Sequence, residues 1–314
     1  MAAGRRIVIL GGGFAGTTVA LRLNRLFRQD PSMEITLVDS ENFFTFTPLL
    51  PEVPSGSIQP KHIVFPLRAL LKRTAVQQAE VRSIDLDRRM IVAAHCHACG
   101  NYTLPFDHLV LAMGSMPNYF RLPGVVQHAL SIKSLADAAA LHAHVIDKLE
   151  HAELQSDPAA RRELLTFVLA GGGFAGVETI AELNDFVRGA GWFYPGISPD
   201  EVRMVLIHSG LRILPEVSES LSAYALRKLR SRSVEVLLET RVQGCTAGAV
   251  RLSRGDEIAT RTFVWAVGTA PSPILDKLDL PRDRSGRVEV EATMAVKDHP
   301  GFGPWGIARP FLTW

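Results

Sequence analysis

The chain has 314 residues, 47% of them hydrophobic and 21% charged, with a formal net charge of +2. That length suits about two domains, and so small a charge gives no electrostatic basis for binding nucleic acid or for capture by an anionic membrane. Three cysteines, Cys96, Cys99 and Cys245, are too few for a disulfide scaffold, no apolar run approaches the ~18 residues of a membrane-spanning helix, and no secretory signal precedes the first strand pattern, so a cytoplasmic setting is expected.

The first predicted element is a buried strand, Arg6-Ile7-Val8-Ile9-Leu10, whose β-branched residues suit a parallel sheet covered on both faces. The hexapeptide Gly-Gly-Gly-Phe-Ala-Gly follows at residues 11–16, and Val19, Leu23, Leu26 and Phe27 then recur at helical spacing. In such a corner Gly11 permits a sharp turn, Gly13 lets the backbone approach a pyrophosphate, and Gly16 lets the helix pack close to its strand. The helix N-terminus, with about half a unit of positive charge, faces the anion. The next strand, Glu34-Ile35-Thr36-Leu37-Val38-Asp39, ends in a carboxylate able to accept from ribose hydroxyls.

Met90-Ile91-Val92 and Tyr102-Thr103-Leu104 predict a surface hairpin enclosing His95-Cys96-His97-Ala98-Cys99. One C-x-x-C with two histidines has zinc-ligand types, but without a second cluster it is read as a hairpin loop, and no metal site is expected. Leu109-Val110-Leu111-Ala112-Met113-Gly114 is a strand ending in Ala-x-Gly, where small residues admit a cofactor or a crossing chain.

The same order then repeats. Thr166-Phe167-Val168-Leu169-Ala170 is a second buried strand, residues 171–176 repeat the hexapeptide, and Val177, Ile180, Ala181, Leu183 and Val187 follow at helical spacing. Met204-Val205-Leu206-Ile207-His208 matches the acid-ending strand but ends in His208, and Phe263-Val264-Trp265-Ala266-Val267-Gly268 repeats Ala-x-Gly. A neutral His208 is a poorer partner than a carboxylate for a 2′-hydroxyl. A protonated one, with Arg212 nearby, suits a 2′-phosphate, so NADH and NADPH both stay open. One such glycine turn is weak evidence, but two in the same strand–turn–helix context predict an α/β chain with two Rossmann-like dinucleotide-binding domains.

This order of fingerprint, acid, Ala-x-Gly, fingerprint, Ala-x-Gly resembles the two-dinucleotide-binding flavoprotein oxidoreductases. Residues 42–53, residues 173–178, Arg212-Ile213-Leu214-Pro215 and residues 286–290 resemble the type II NADH:quinone dehydrogenases among them. The resemblance runs from about Arg6 to about His299. It implies an FAD-binding domain at 1–125, an inserted NAD(P)H-binding domain at 126–270, and an incomplete return to the first at 271–314. It also implies hydride transfer from NADH or NADPH to the flavin, then electron transfer to a quinone. By that resemblance Gly11, Gly13, Phe14, Ala15, Gly16, Asp39, Thr47, Pro48, Leu49, Val81, Ala112 and Gly114 surround FAD. Gly171, Gly173, Phe174, Gly176, Glu178, His208 and Gly268 surround the nicotinamide nucleotide. Glu178, placed in the first turn of the second helix, is the catalytic candidate for hydride and proton handling, whereas Glu182 is assigned to helix surface or interdomain packing.

No cysteine lies near the first fingerprint or just after Asp39, so dithiol chemistry is not expected and sulfide:quinone reductases fit less well. A ferredoxin-type reductase and a non-catalytic nucleotide-binding or redox-sensing protein are the alternatives. Near Gly301 the family's Gly-Asp strand end and C-terminal amphipathic helices fail to appear, which predicts a truncated or frameshifted product. Weakened FAD binding would follow, as would a weakened form of the full-length family's peripheral attachment to the inner face of the plasma membrane. The quinone type and homodimerisation are left open.

Overall fold

A computed structural model of the chain describes residues 5–95 and 100–297, so the Cys96 and Cys99 loop and everything after Lys297 lie outside the described residues. The described chain divides into two compact units. One takes in residues 5–45, 64–116 and 270–297, and the other 46–63 and 117–269.

The first unit is built on a six-stranded sheet in the spatial order Asn101–Pro105, Met90–His95, Ala75–Asp85, Met33–Asp39, Arg5–Leu10, His108–Leu111. The last four run parallel. The first two form the predicted hairpin and join antiparallel to Ala75–Asp85. Successive side chains of a strand point to opposite faces, and here both faces are covered. Ile7, Ile9, Leu37 and Val110 pack with Val19, Ala20 and Leu23 of the helix Phe14–Leu26. Val8, Leu10, Val38, Leu109 and Leu111 pack on the other side with Ile91, Phe106 and Leu275. Each buried Val, Leu, Ile or Phe among them contributes about 1.5–3 kcal/mol, which is why these strands read as unbroken apolar runs. The predicted helical stripe holds at Val19 and Leu23. Leu26, the last helical residue, is 71% exposed and adds nothing to the core.

The second unit carries an all-parallel five-stranded sheet in the order Leu130–Ser131, Thr262–Trp265, Thr166–Ala170, Arg203–Ile207, Val234–Leu237. Thr166–Ala170 is buried at every residue, as a central parallel strand should be. The helix Phe174–Gly189 turns Val177, Ile180, Leu183 and Val187 inward. The long helix Leu135–Leu154 starts at a capping box, in which the Asp137 N–H donates to Ser134 Oγ and the Ser134 N–H to the Asp137 carboxylate; such a cap contributes about 1 kcal/mol. A small antiparallel sheet of Val242–Cys245, Ala249–Leu252 and Glu257–Ala259 packs Val242, Val250 and Leu252 against Val168, Val205 and Trp265.

Residues 46–63 are flanked in sequence by the first unit but pack with the second, where the 3-10 helix Thr47–Glu52 lies against Phe174–Gly189 and Leu135–Leu154. The fold is therefore α/β with two Rossmann-type units, residues 117–269 being inserted between 64–116 and 270–297. Among the described residues no helix is long and apolar enough to cross a membrane.

Candidate functional site

In the first unit, Leu10 pairs with Val38 on one side and Leu111 on the other, so three parallel strands finish at one carboxyl edge. The chain leaves that edge at Gly11, with φ of +108°, where a Cβ would overlap the Ala112 carbonyl oxygen. A Cβ at Gly16 would in turn overlap the Gly11 carbonyl, so the helix sits directly on the turn. The Ala-x-Gly segment is thus the crossing chain: the Ala112 N–H donates to the Leu10 carbonyl at 2.8 Å, and Gly114 follows at φ +64°. The strand proper stops at Leu111, before that alanine. Gly13 begins the helix in an extended conformation with no side-chain cap, and a Cβ there would meet nothing within 4 Å. The space before the helix is open to a ligand, and a helix N-terminus favours an anion in it.

Asp39 closes the corner. Its Oδ2 accepts from the Gly12 N–H at 2.5 Å and its Oδ1 from the Glu41 N–H at 2.7 Å. The middle glycine, which the fingerprint reading left without a role, makes that possible: a Cβ on Gly12 would lie 2.8 Å from Leu67 Cδ1 and 3.3 Å from Asp39 Oδ2. Phe14 stands edge-on to Phe44 at 4.9 Å, and Ala15 is half-buried beside it in sequence. Val81 sits apart from the corner, half-buried at an irregularity of Ala75–Asp85, three residues beyond the Gln78 that pairs with Asp39.

The second unit repeats this geometry. Gly171 has φ +124° and its Cβ would overlap the Ala266 carbonyl; a Cβ on Gly176 would overlap the Gly171 carbonyl; Gly173 again faces open space. The Ala266 N–H donates to the Ala170 carbonyl at 2.8 Å, and Gly268 has φ +65°. Phe174, the first residue of the helix, is half-buried. His208 takes the place of Asp39, its Nδ1 accepting from the Gly172 N–H at 3.2 Å. An accepting Nδ1 carries no proton, so the ring is neutral and any proton sits on Nε2. Burial likewise holds the imidazole below its usual value, against opposing contributions from Arg212 and Glu216. Arg212, the sequence-level candidate for a 2′-phosphate, gives its guanidinium to the carbonyls of Val217 and Pro215, each at 2.9 Å.

Glu178 is the fifth residue of Phe174–Gly189, past the first turn in which the sequence had placed it, and no acid occupies that first turn. The helix dipole acts mainly within one turn of the end, so charge–dipole complementarity is a poor account of it. Its carboxyl is held above the ordinary carboxylate range, first by partial burial and then by repulsion from Glu52. Glu52 ends the 3-10 helix Thr47–Glu52, on which Thr47 and Pro48 are exposed and Leu49 half-buried. Glu182 is not bare helix surface, since its Oε2 accepts from Ser55 Oγ and Ser57 Oγ, each at 2.7 Å. The sequence held no signal for the Glu52–Glu178 pairing, because nothing local joins residues so far apart along the chain.

Residues 5–301 match the pyridine nucleotide-disulphide oxidoreductase family. The chain belongs to that family. Among similar members, the external alternative NAD(P)H-ubiquinone oxidoreductase B4 of Arabidopsis thaliana is 31% identical over 288 residues, covering 86% of this chain and 48% of the relative. The type II NADH:quinone oxidoreductase NdhA of Mycobacterium tuberculosis is 30% identical over 310 residues, covering 94% of this chain and 64% of the relative. The structure of NDH2 from Plasmodium falciparum in complex with NADH superposes with a TM-score of 0.88 at 23% identity, covering 96% of this chain and 63% of that one. The chain thus spans about half to two thirds of the relatives it matches. As a family member it has one described cysteine, Cys245, whose buried thiol is pushed up by desolvation. A thiol held that way is a poor nucleophile.

Proposed function

We propose that the chain carries the FAD- and NAD(P)H-binding core of a type II NAD(P)H:quinone oxidoreductase. The observation that carries this reading is the recurrence of one corner in both units, with an overlapped glycine at positive φ, a carbonyl from Ala-x-Gly, and an open glycine at the helix start. The activities for which the Arabidopsis and Mycobacterium relatives are named support it. The Gly11–Gly16 corner, with Asp39, would hold the FAD pyrophosphate and ribose, and the Gly171–Gly176 corner, with His208, those of the nicotinamide nucleotide. When bound, FAD would supply the hydride- and electron-transfer chemistry between nicotinamide and quinone. Glu178, whose carboxyl is raised by burial and by Glu52, is the group best suited to exchange a proton at this site. A lipid-soluble quinone would require peripheral contact with a membrane, which vesicle flotation measures.

The direct test is an absorbance scan of the purified protein. Flavin bands that bleach on adding NADH and return on adding a short-chain quinone are expected. A colourless protein that still binds NADH would favour a nucleotide-binding role instead.

His208 and Arg212 further point to NADH over NADPH, because the neutral ring brings no charge to a 2′-phosphate and the guanidinium is held in place by two backbone carbonyls. The half-saturating NADPH concentration for flavin bleaching should exceed that of NADH roughly tenfold or more, the scale of one lost charge-assisted contact. Equal values for the two nucleotides would overturn this assignment.

A further inference from the structure

Residues 46–63 form a loop closed at its base, where the Phe46 N–H donates to the Ile63 carbonyl at 2.7 Å. Three side chains fasten it within the second unit. Ser55 and Ser57 reach Glu182 on Phe174–Gly189, and His142 on Leu135–Leu154 donates from Nδ1 to the Pro54 carbonyl at 2.9 Å. The His142 ring also lies 5.5 Å from Phe186. Each serine hydroxyl has one proton to give. Ser55 Oγ also stands 2.8 Å from the Glu52 carbonyl and from Ser57 Oγ, so Glu182 gathers a small network rather than a single bond. Glu52 is carried on this loop, and Glu178 lies one turn before Glu182 on the same helix.

We propose that Glu182 is a positioning residue: by accepting both serine hydroxyls it latches the 46–63 loop onto the Phe174–Gly189 helix and so holds Glu52 opposite Glu178. The inference rests on the functional reading only in treating Glu178 as a proton-handling group. The charge that acts on the Glu178 carboxyl is Glu52 from the loop, while Glu182, one turn on along the same helix, is bound to the serines and His142 from Leu135–Leu154 to the Pro54 carbonyl. Releasing the latch removes Glu52 from its place, so the Glu178 carboxyl should fall toward the ordinary range.

The test uses the whole chain, with trypsin cleavage after the exposed Lys61 as one readout and a ¹³C NMR titration of the Glu178 carboxyl as the other. Circular dichroism checks the fold of each variant. Glu182→Ala and the double variant Ser55→Ala/Ser57→Ala should each speed cleavage roughly tenfold, the scale of one charge-assisted hydrogen bond, and lower the Glu178 pKa. Combining them should add nothing, because they break one interaction. Glu182→Gln keeps an acceptor oxygen and should cleave at nearly the wild-type rate, whereas Glu52→Gln should lower the Glu178 pKa with cleavage unchanged. Wild-type cleavage and titration in Glu182→Ala, or additive effects of the two sides, would overturn the latch. A wild-type protein that gives these results but shows no NADH-dependent flavin bleaching would sink the functional reading and leave the latch in place.

Discussion

Gly171→Ala should unfold the five-stranded unit, whereas Gly173→Ala, two residues on, should leave it folded and unable to hold NADH tightly. The two glycines differ in what surrounds them. Gly171 has φ +124°, and any Cβ collides with the Ala266 carbonyl, which is backbone fixed by its own N–H bond to Ala170. The backbone strain alone costs about 1–3 kcal/mol, and moving a central strand end adds to it. A total of about 4 kcal/mol or more is expected, a large part of the stability of a typical domain. Gly173 has φ −82° and open space ahead of it, so alanine fits and stability should change by less than about 0.5 kcal/mol. The added methyl instead stands where a pyrophosphate would approach, and the NADH dissociation constant should rise roughly tenfold or more. Thermal melting by circular dichroism and a fluorescence titration of NADH separate the two effects. Similar melting temperatures for both variants would refute this assignment of the corner.

Asp39→Ala should destabilise the first unit by about 2 kcal/mol, because it leaves the Gly12 N–H, in a buried turn, without its acceptor. The Glu41 N–H is exposed and can turn to water, so little is lost there. Flavin should also be lost on gel filtration, since the proposed ribose partner goes with the clamp. Asp39→Asn keeps an acceptor oxygen for Gly12 and should recover most of the stability. Urea midpoints measure the first effect and the flavin-to-protein ratio the second. Wild-type flavin content in Asp39→Ala would mean that the carboxylate serves the turn alone. The matching His208–Gly172 bond is longer, at 3.2 Å, and joins two neutral groups, so its removal should cost less.

Much of this is legible in the sequence. The two buried strands, the hexapeptide corners, the helices after them and the hairpin at residues 90–105 follow from local rules of apolar periodicity and glycine placement, and each reappears in the structure. Gly11, Gly13 and Gly16 were assigned separate duties from their spacing, and their surroundings are indeed different from one another. Other features depended on where an element begins or ends. Glu178 falls outside the first turn because the helix starts at Phe174, and Leu26, the last residue of its helix, is exposed while Phe27 just beyond it still packs against the core.

The sequence by itself determined the duplicated α/β architecture, because a glycine forced by backbone geometry and a strand forced by two-sided burial leave their mark within a few neighbouring residues. Only the tertiary structure decided that Asp39 and His208 clamp the middle glycines, that the Arg212 guanidinium is held by two carbonyls, and that the loop carrying Glu52 is bound through its serines to Glu182 of the second unit's helix. Those contacts join residues far apart in the chain. Their partners are chosen by how loops dock, and one-dimensional patterns of polarity do not encode that choice.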